Sequence, residues 1–387
     1  MKTTTFRVTA TVAALLAAIA IILALAYAGD QGRGPLERLF SSVGSKVRKA
    51  EARMMLQART TKRADRLQWF QPYANKASLM KDPDRILLGA FDNRMKESLE
   101  SIVTLEDSLH TTFPLIHIYT AWGDKPEQEF PVRQVEGILG AGSVPVITWE
   151  PWLSAFDKEQ HPQLRMAESR DKGGLKDVAA GAYDFYIRKW AQAARDAGKT
   201  VIVRLGHEMN DPYRYPWGPQ NNTAADFIAA WHHVHTVFAE EKANNVLWVW
   251  SPHPAYGYFK EFYPGDSLVD YIGINTLNYG AVASWSKWWT FKDIFGKCYD
   301  EIAKFNKPVM LTELGSLEVG GSRSKWFAAA LDSLPSRYPA VKSVLFFHFS
   351  EDNTTTQQTL NWYVRDDTAT TRAIRRSLKK WTPAVVY

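Results

Sequence analysis

Two textures alternate along this chain from residue 85 onward, and the alternation limits its fold more than any other feature. Eight short runs rich in β-branched and aromatic residues lie at 85–92, 113–122, 143–152, 200–208, 246–252, 271–278, 308–315 and 341–350. Most are nearly continuously hydrophobic, which suits parallel strands covered on the outside by helices. Between them lie amphipathic stretches at 178–197, 224–241, 290–305 and 323–334, often opened by Asp, Ser or Thr, and Gly198 closes the first. The connection 256–269 is irregular, with room for only a short helix. Strands alternating with helices eight times predict an α/β fold, a (β/α)8 TIM barrel, with a doubly wound open sheet as the alternative. At 387 residues and 45% hydrophobic the chain can build one large core. A barrel with its loops takes roughly 250 to over 300 residues.

The amino terminus has a different character. After Met1, Lys2 and Arg7, residues 8–28 form an uncharged apolar run ending in Ala26-Tyr27-Ala28-Gly29, the small-x-small pattern of a signal-peptidase site. About 20 apolar residues also suffice to span a bilayer. Residues 1–29 are therefore expected to be a signal peptide or a membrane anchor. Both put the remainder outside the cytoplasm, whether secreted, periplasmic or membrane-attached. Residues 30–68 read as a basic linker, and 69–387 as the barrel domain.

The formal net charge of +6 comes largely from the segment 33–66. The domain itself lacks the basic stripe interleaved with aromatics that nucleic-acid binding requires. Cys298 is the single cysteine, which rules out an intramolecular disulfide and a cysteine metal cage. Inside a helical stretch it reads as a small buried apolar residue. The expectation is a monomer with no cofactor, no metal and no nucleic-acid partner.

A barrel of this kind carries its chemistry at the C-terminal ends of its strands. The fourth run ends Val203-Arg204-Leu205-Gly206-His207-Glu208-Met209-Asn210, and the seventh ends Val309-Met310-Leu311-Thr312-Glu313-Leu314-Gly315. Each sets a carboxylate where an apolar strand runs out into the barrel mouth, on facing sides of the ring. Hydrolysis of a glycosidic bond with retention needs two such groups, about 5–5.5 Å apart. One gives a proton to the leaving oxygen, and the other attacks the anomeric carbon. Either glutamate alone is as readily a strand-end residue without a role. The pairing, with Arg204, His207 and Asn210 beside one of them, weighs against that.

Two metal readings fail on spacing. His207-Glu208 opens the zinc-protease pattern His-Glu-x-x-His, but the second histidine position is Asp211 and Pro212 follows. His232 and His235 share a helix face, yet no third ligand is evident near them. The chain holds 15 tryptophans, and Trp122, Trp149, Trp152, Trp217, Trp250, Trp285, Trp288 and Trp289 fall at or just after strand ends. Indoles stack on the C–H faces of pyranose rings, so some of these are expected to line a polysaccharide cleft and others to pack loops onto the barrel.

These residues resemble glycoside hydrolase family 26, the β-mannanase family. His207-Glu208-Met209-Asn210 followed by Tyr215-Pro216-Trp217-Gly218 looks like its acid/base signature. Tyr263-Pro264-Gly265-Asp266, then Val269-Asp270-Tyr271-Ile272-Gly273, matches its approach to the sixth strand. Lys307-Pro308 through Thr312-Glu313-Leu314-Gly315 resembles its nucleophile strand, and 361–367 its closing segment. The likeness covers most of the chain from residue 85. It implies endo-acting, retaining hydrolysis of a β-linked polysaccharide, with Glu208 as acid/base and Glu313 as nucleophile. Arg204, His207 and Trp217 would line the subsite around the scissile bond. Asn210, Trp122, Trp149, Glu150, Trp250, Asn275 and Tyr279 complete the candidate substrate contacts.

Two departures bear on the substrate. Trp149-Glu150-Pro151-Trp152 replaces the tryptophan and histidine of the mannanases and is closer to the family's β-glucan-cleaving members. Leu277 stands where the family has a tyrosine that holds the nucleophile, with Tyr279 as a candidate substitute. The substrate is therefore β-mannan or a β-1,4 or mixed-linkage β-glucan. Two further readings are a non-catalytic polysaccharide-binding barrel associated with exopolysaccharide assembly, and a hydrolase that trims the cell's own exopolysaccharide.

Overall fold

The computed structural model describes residues 62–95, 98–282 and 286–381. The expected export segment and most of the expected linker lie outside the described residues, as does Trp285. Among the described residues no helix is long and apolar enough to cross a membrane.

Eight parallel strands among the described residues close a barrel in sequence order, not an open sheet. They are β1 Leu87–Asp92, β2 Leu115–Ala121, β3 Val144–Glu150, β4 Val201–Leu205, β5 Val246–Trp250, β6 Tyr271–Asn278, β7 Val309–Ser316 and β8 Val341–His348, one in each apolar run. Helices Asp184–Asp196, Ala224–Glu240 and Arg323–Arg337 carry three of the amphipathic stretches. Thr223 starts the second with a capping box: its hydroxyl accepts from Asp226 N at 3.2 Å, and the Asp226 carboxylate accepts from Thr223 N at 2.9 Å. The remaining stretch, 290–305, is not a plain helix. It opens as a π turn, Lys292–Gly296, and becomes α-helical only over Lys297–Ile302.

Side-chain parity along each strand sorts the core into two layers. Leu115, Val144, Val146, Ile202, Leu247, Val249, Tyr271, Met310 and Leu345 fill the barrel interior. Their neighbours Ile147, Trp149, Val203, Trp248, Trp250 and Leu311 face outward into the helix layer. The floor of the interior is plugged by Leu67, Phe70, Ala74 and Met80.

That plug corrects the domain boundary. Residues 62–68, expected to end a basic linker, are part of the fold. Arg63 is buried, and its guanidinium donates to Glu106 at 2.8 and 3.0 Å, to Phe113 O at 2.7 Å and to Ser143 Oγ at 2.8 Å. A guanidinium matches a carboxylate with several donors at once, so a residue counted among linker charges serves as a buried clamp. Removing one partner of such a pair leaves the other charge buried and unpaired, a loss of about 3–5 kcal/mol. Arg63→Ala is expected to lower the thermal unfolding midpoint by several degrees. A fragment beginning at Trp69 is expected to unfold earlier than one beginning at Thr60, and equal midpoints would remove the clamp from the fold's support.

Candidate active site

Local irregularities bring the two glutamates into the mouth. β4 stops at Leu205, and Gly206 and Glu208 then adopt left-handed φ values of 50° and 55°. Gly206 N donates to Trp149 O at 3.0 Å and Glu208 N to Ser251 O at 2.6 Å, stitching the turn to β3 and to the end of β5. A side chain in that region of φ costs about 1–2 kcal/mol, which glycine avoids and Glu208 does not. Such strain gathers where surrounding structure holds a residue for a purpose. Glu313 arrives by a β-bulge. Ile274 pairs with Leu311 but Asn275 with Glu313, so β7 carries one extra residue there. Leu311 and Leu314 both face the helix layer, while Thr312 and Glu313 between them both reach inward. A bulge re-aims a side chain in this way.

Inside the mouth the carboxylates are joined by one network. Tyr119 Oη donates to Glu313 Oε1 at 2.7 Å, and Arg204 Nη1 to the same oxygen at 2.9 Å. Arg204 Nη1 also reaches Thr148 Oγ1 at 3.2 Å, and its Nη2 reaches Asn275 Oδ1 at 3.2 Å. Asn275 Nδ2 then donates to Glu208 Oε1 at 2.7 Å, while Thr312 Oγ1 donates to Asn275 Oδ1 at 2.8 Å. Glu208 and Glu313 are only 4% and 6% exposed, and Glu208 Oε2 has no hydrogen-bond partner among the described residues.

The electrostatics follow from burial and from these contacts. Burial opposes the charge of Arg204, but Glu313 and Tyr119 outweigh it and raise its pKa further, so it stays a cation. Burial, reinforced by the Glu313 charge, pushes the Tyr119 phenol well above its ordinary value, and the phenol remains a donor. Burial, with Arg204 beside it, holds His207 well below the usual histidine value. His207 is thus neutral near pH 7, and its 3.9 Å approach to Glu150 is not an ion pair. Burial also raises the Glu150 carboxyl, against the lowering effect of the Trp152 indole N–H at 3.1 Å.

The structure divides the expected substrate contacts. Arg204, His207, Glu150, Asn275 and Tyr279 gather at the mouth with the two glutamates. Trp149, Trp122 and Trp250 do not, because their parity points them outward. Trp149 stacks on Trp190 at 4.2 Å, Trp122 lies 4.7 Å from Trp149, and Trp250 packs on Tyr263 at 5.2 Å. These three are core of the helix layer rather than cleft.

Trp217 and Asn210 act at one remove. The Trp217 indole donates to His207 O at 2.7 Å, and Asn210 Nδ2 donates to His253 O and Gly257 O at 3.0 and 2.9 Å, fastening the loop after β5. Tyr279 lies at the mouth with its hydroxyl 3.4 Å from Thr355 Oγ1. The tyrosine on Glu313 at 2.7 Å is Tyr119, from the opposite side of the ring. Parity could have found it, since Leu115, His117 and Tyr119 alternate along β2 on the inward face.

Other groups have separate duties. His232 Nε2 lies 2.8 Å from Pro264 O, and His233 Nε2 lies 2.6 Å from Asp184 Oδ1, so each holds its helix to a neighbouring segment. Burial pushes the Cys298 thiol up to about 12. Glu208, Asp211 and His253 each bring one donor atom within 4.8 Å of the others. His253 Nδ1 already accepts from Ala255 N at 3.2 Å. A cavity of about 1050 Å³ opens from the two glutamates across the ends of β5 and β6, with Arg214, Tyr256, Trp289 and Thr354 on its walls.

The chain is similar to known proteins over this region. The family model described as glycosyl hydrolase family 26 matches residues 163–359. Endoglucanase H of Acetivibrio thermocellus is 31% identical over 227 residues, 56% of this chain and 23% of that protein. A mannan endo-1,4-beta-mannosidase of Bacillus subtilis is 23% identical over 169 residues, 42% of each chain. The match thus spans less than half the length of either relative. A GH26 β-mannanase structure from Bacteroides ovatus superposes with a TM-score of 0.55 at 15% identity, covering 80% of this chain and 92% of that one, a likeness of fold.

Proposed function

The chain belongs to glycosyl hydrolase family 26, and on that premise we propose that it is an endo-acting, retaining glycoside hydrolase of a β-linked polysaccharide. The observation that carries the reading is the bonded path Glu313–Arg204–Asn275–Glu208 in a cavity large enough for sugar units. Glu313 is the nucleophile. Tyr119 and Arg204 both donate to its Oε1 and hold the group in place for attack on the anomeric carbon. Glu208 is the acid/base. Asn275 fixes its Oε1, and the unpartnered Oε2 carries the proton to the leaving oxygen. In the second half-reaction the same carboxylate takes a proton from water, which releases the sugar from Glu313. A barrel kept only to bind polysaccharide would not need two carboxylates wired together at opposite strand ends.

Glu150 bears on the substrate. It ends β3, its Oε2 accepting from the Trp152 indole at 3.1 Å, and offers a further acceptor for a substrate hydroxyl where the mannanases have a histidine. Endoglucanase H is also more similar to this chain than the Bacillus subtilis mannosidase, at 31% against 23% identity. We therefore propose a β-glucan substrate, cut at least as fast as mannan. Reducing-sugar release from lichenan, glucomannan, cellulose, mannan and xylan tests both statements. Strong cleavage of mannan with none of lichenan or glucomannan would reverse the preference, and release from no polysaccharide would remove the enzyme reading.

The apolar segment 8–28 and its Ala-Tyr-Ala-Gly ending support export. Residues 1–66 fused to a reporter that works only outside the cytoplasm are expected to give signal. A silent reporter with the fusion intact in the cytoplasm overturns export.

A further inference from the structure

Below the two glutamates the barrel interior passes from an apolar tier to a polar one. Leu115, Val146 and Ile202 belong to the lower tier. Two residues further along β2, β3 and β4 the inward positions are His117, Thr148 and Arg204, all fully buried. Thr148 and Arg204 are part of the network around Glu313, whereas His117 takes part in no step of the reaction. A histidine in so closed a place is costly unless its ring nitrogens are used. Its Nε2 lies 2.7 Å from Thr148 Oγ1, and its Nδ1 has no partner among the described residues.

The donors and acceptors give this contact a direction. A guanidinium only donates, so Thr148 Oγ1 accepts from Arg204 Nη1 at 3.2 Å, while the same nitrogen gives its other hydrogen to Glu313 Oε1 at 2.9 Å. The single hydroxyl hydrogen of Thr148 is then left for His117 Nε2, and the neutral ring keeps its proton on Nδ1. The other tautomer would strand both the Thr148 hydrogen and the Nδ1 lone pair, two buried polar groups instead of one. Burial and the nearby Arg204 charge hold His117 well below the usual histidine value, so the ring is neutral. The same ring lies against that of Tyr119, with centroids 4.6 Å apart, and Tyr119 is the second donor to Glu313.

We infer that His117 is a positioning residue for Glu313: it accepts the Thr148 proton, which turns a hydroxyl lone pair onto Arg204, and its ring backs Tyr119. One buried side chain thus supports both donors that meet the carboxylate. The inference rests on the proposed function for the part Glu313 plays in the reaction.

Two measurements on the full chain separate this role from mere filling of the core. The first needs no activity. Ring-nitrogen NMR of histidine-labelled protein, with His117 assigned by its absence from His117→Gln, is expected to show Nδ1 protonated and Nε2 bare throughout the range where an ordinary histidine titrates, about pH 5–8. The Nε2 resonance is expected to move in Thr148→Val. A charged ring, the opposite tautomer or indifference to Thr148→Val overturns the link.

The second measurement follows attack by Glu313 itself. Cellobiosyl and mannobiosyl fluorides that carry a further fluorine on the carbon next to the anomeric one leave a long-lived glycosyl-enzyme, as a carboxylate oxygen bonds to the anomeric carbon and fluoride departs. Labelling followed by mass spectrometry is expected to be slower in His117→Leu by about threefold to tenfold, the effect of one net hydrogen bond, with the same final labelled fraction. His117→Gln, whose carbonyl can accept the Thr148 proton, is expected to recover most of that rate. Added to Thr148→Val, His117→Leu should cost little more, because the link is already gone. Wild-type labelling rates in His117→Leu overturn the role, as does a loss confined to the labelled fraction or to the thermal midpoint. Failure of both fluorides to label the wild-type chain overturns the proposed function instead, and the NMR result then decides by itself whether His117 holds Thr148 against Arg204.

Discussion

Glu208→Ala and Glu313→Ala are expected to fail in different ways. Without the proton donor, cleavage of polysaccharide should fall by about 10²–10⁴-fold, because a sugar alkoxide is a poor leaving group. An aryl glycoside with an acidic phenol needs no such proton, so Glu208→Ala should still form the glycosyl-enzyme from it. It should then accumulate that intermediate, since no base remains to activate water. Glu313→Ala lacks the attacking oxygen, and no improvement in the leaving group restores it. Stopped-flow phenol release is expected to show a burst for the first variant and no turnover for the second. The opposite pattern would exchange the roles, and near-wild-type rates in both would move the site elsewhere.

Loss of the groups that hold the nucleophile should be nearly as severe. Arg204 is fully buried, and Arg204→Met removes the guanidinium on Glu313 Oε1 together with the link to Asn275. Breaking a buried pair from one side costs about 3–5 kcal/mol, so both stability and turnover should drop. The loss should appear in kcat/KM with aryl glycosides as well as with polysaccharide, because the attacking oxygen is no longer held in place. Tyr119→Phe keeps the ring and loses only the hydroxyl that donates to Glu313 at 2.7 Å. A hydrogen bond to a charged group contributes about 1.5–3 kcal/mol, so kcat/KM should fall roughly 10- to 100-fold. Wild-type rates in both variants would detach these residues from Glu313.

The eight apolar runs pointed to a barrel, with closure against an open sheet left to the structure, because a strand buried on both faces leaves its hydrophobicity in consecutive residues. Glu208 and Glu313 could be picked out for a similar reason: each charged residue interrupts an apolar run where a strand must end. What the linear pattern does not carry is direction. Trp149 and Glu150 are neighbours at the end of β3, yet one stacks on Trp190 in the helix layer and the other stands in the mouth. A strand turns successive side chains to opposite faces, and one residue of register decides between them.

The same uncertainty let Trp122 and Trp250 look like cleft residues while Tyr119, with the right parity, went unnoticed. Arg63 reads as a linker charge until Glu106, 43 positions later, is brought against it. The bulge that turns both Thr312 and Glu313 inward has no signature in its own sequence. It exists because β7 must stay paired with two neighbours while carrying one residue more than β6. Composition and periodicity are properties of segments, and they determined which elements form and where charge interrupts them. Which donor meets Glu313 is a property of the closed ring, where β2, β4 and β6 converge only after all eight strands are in register.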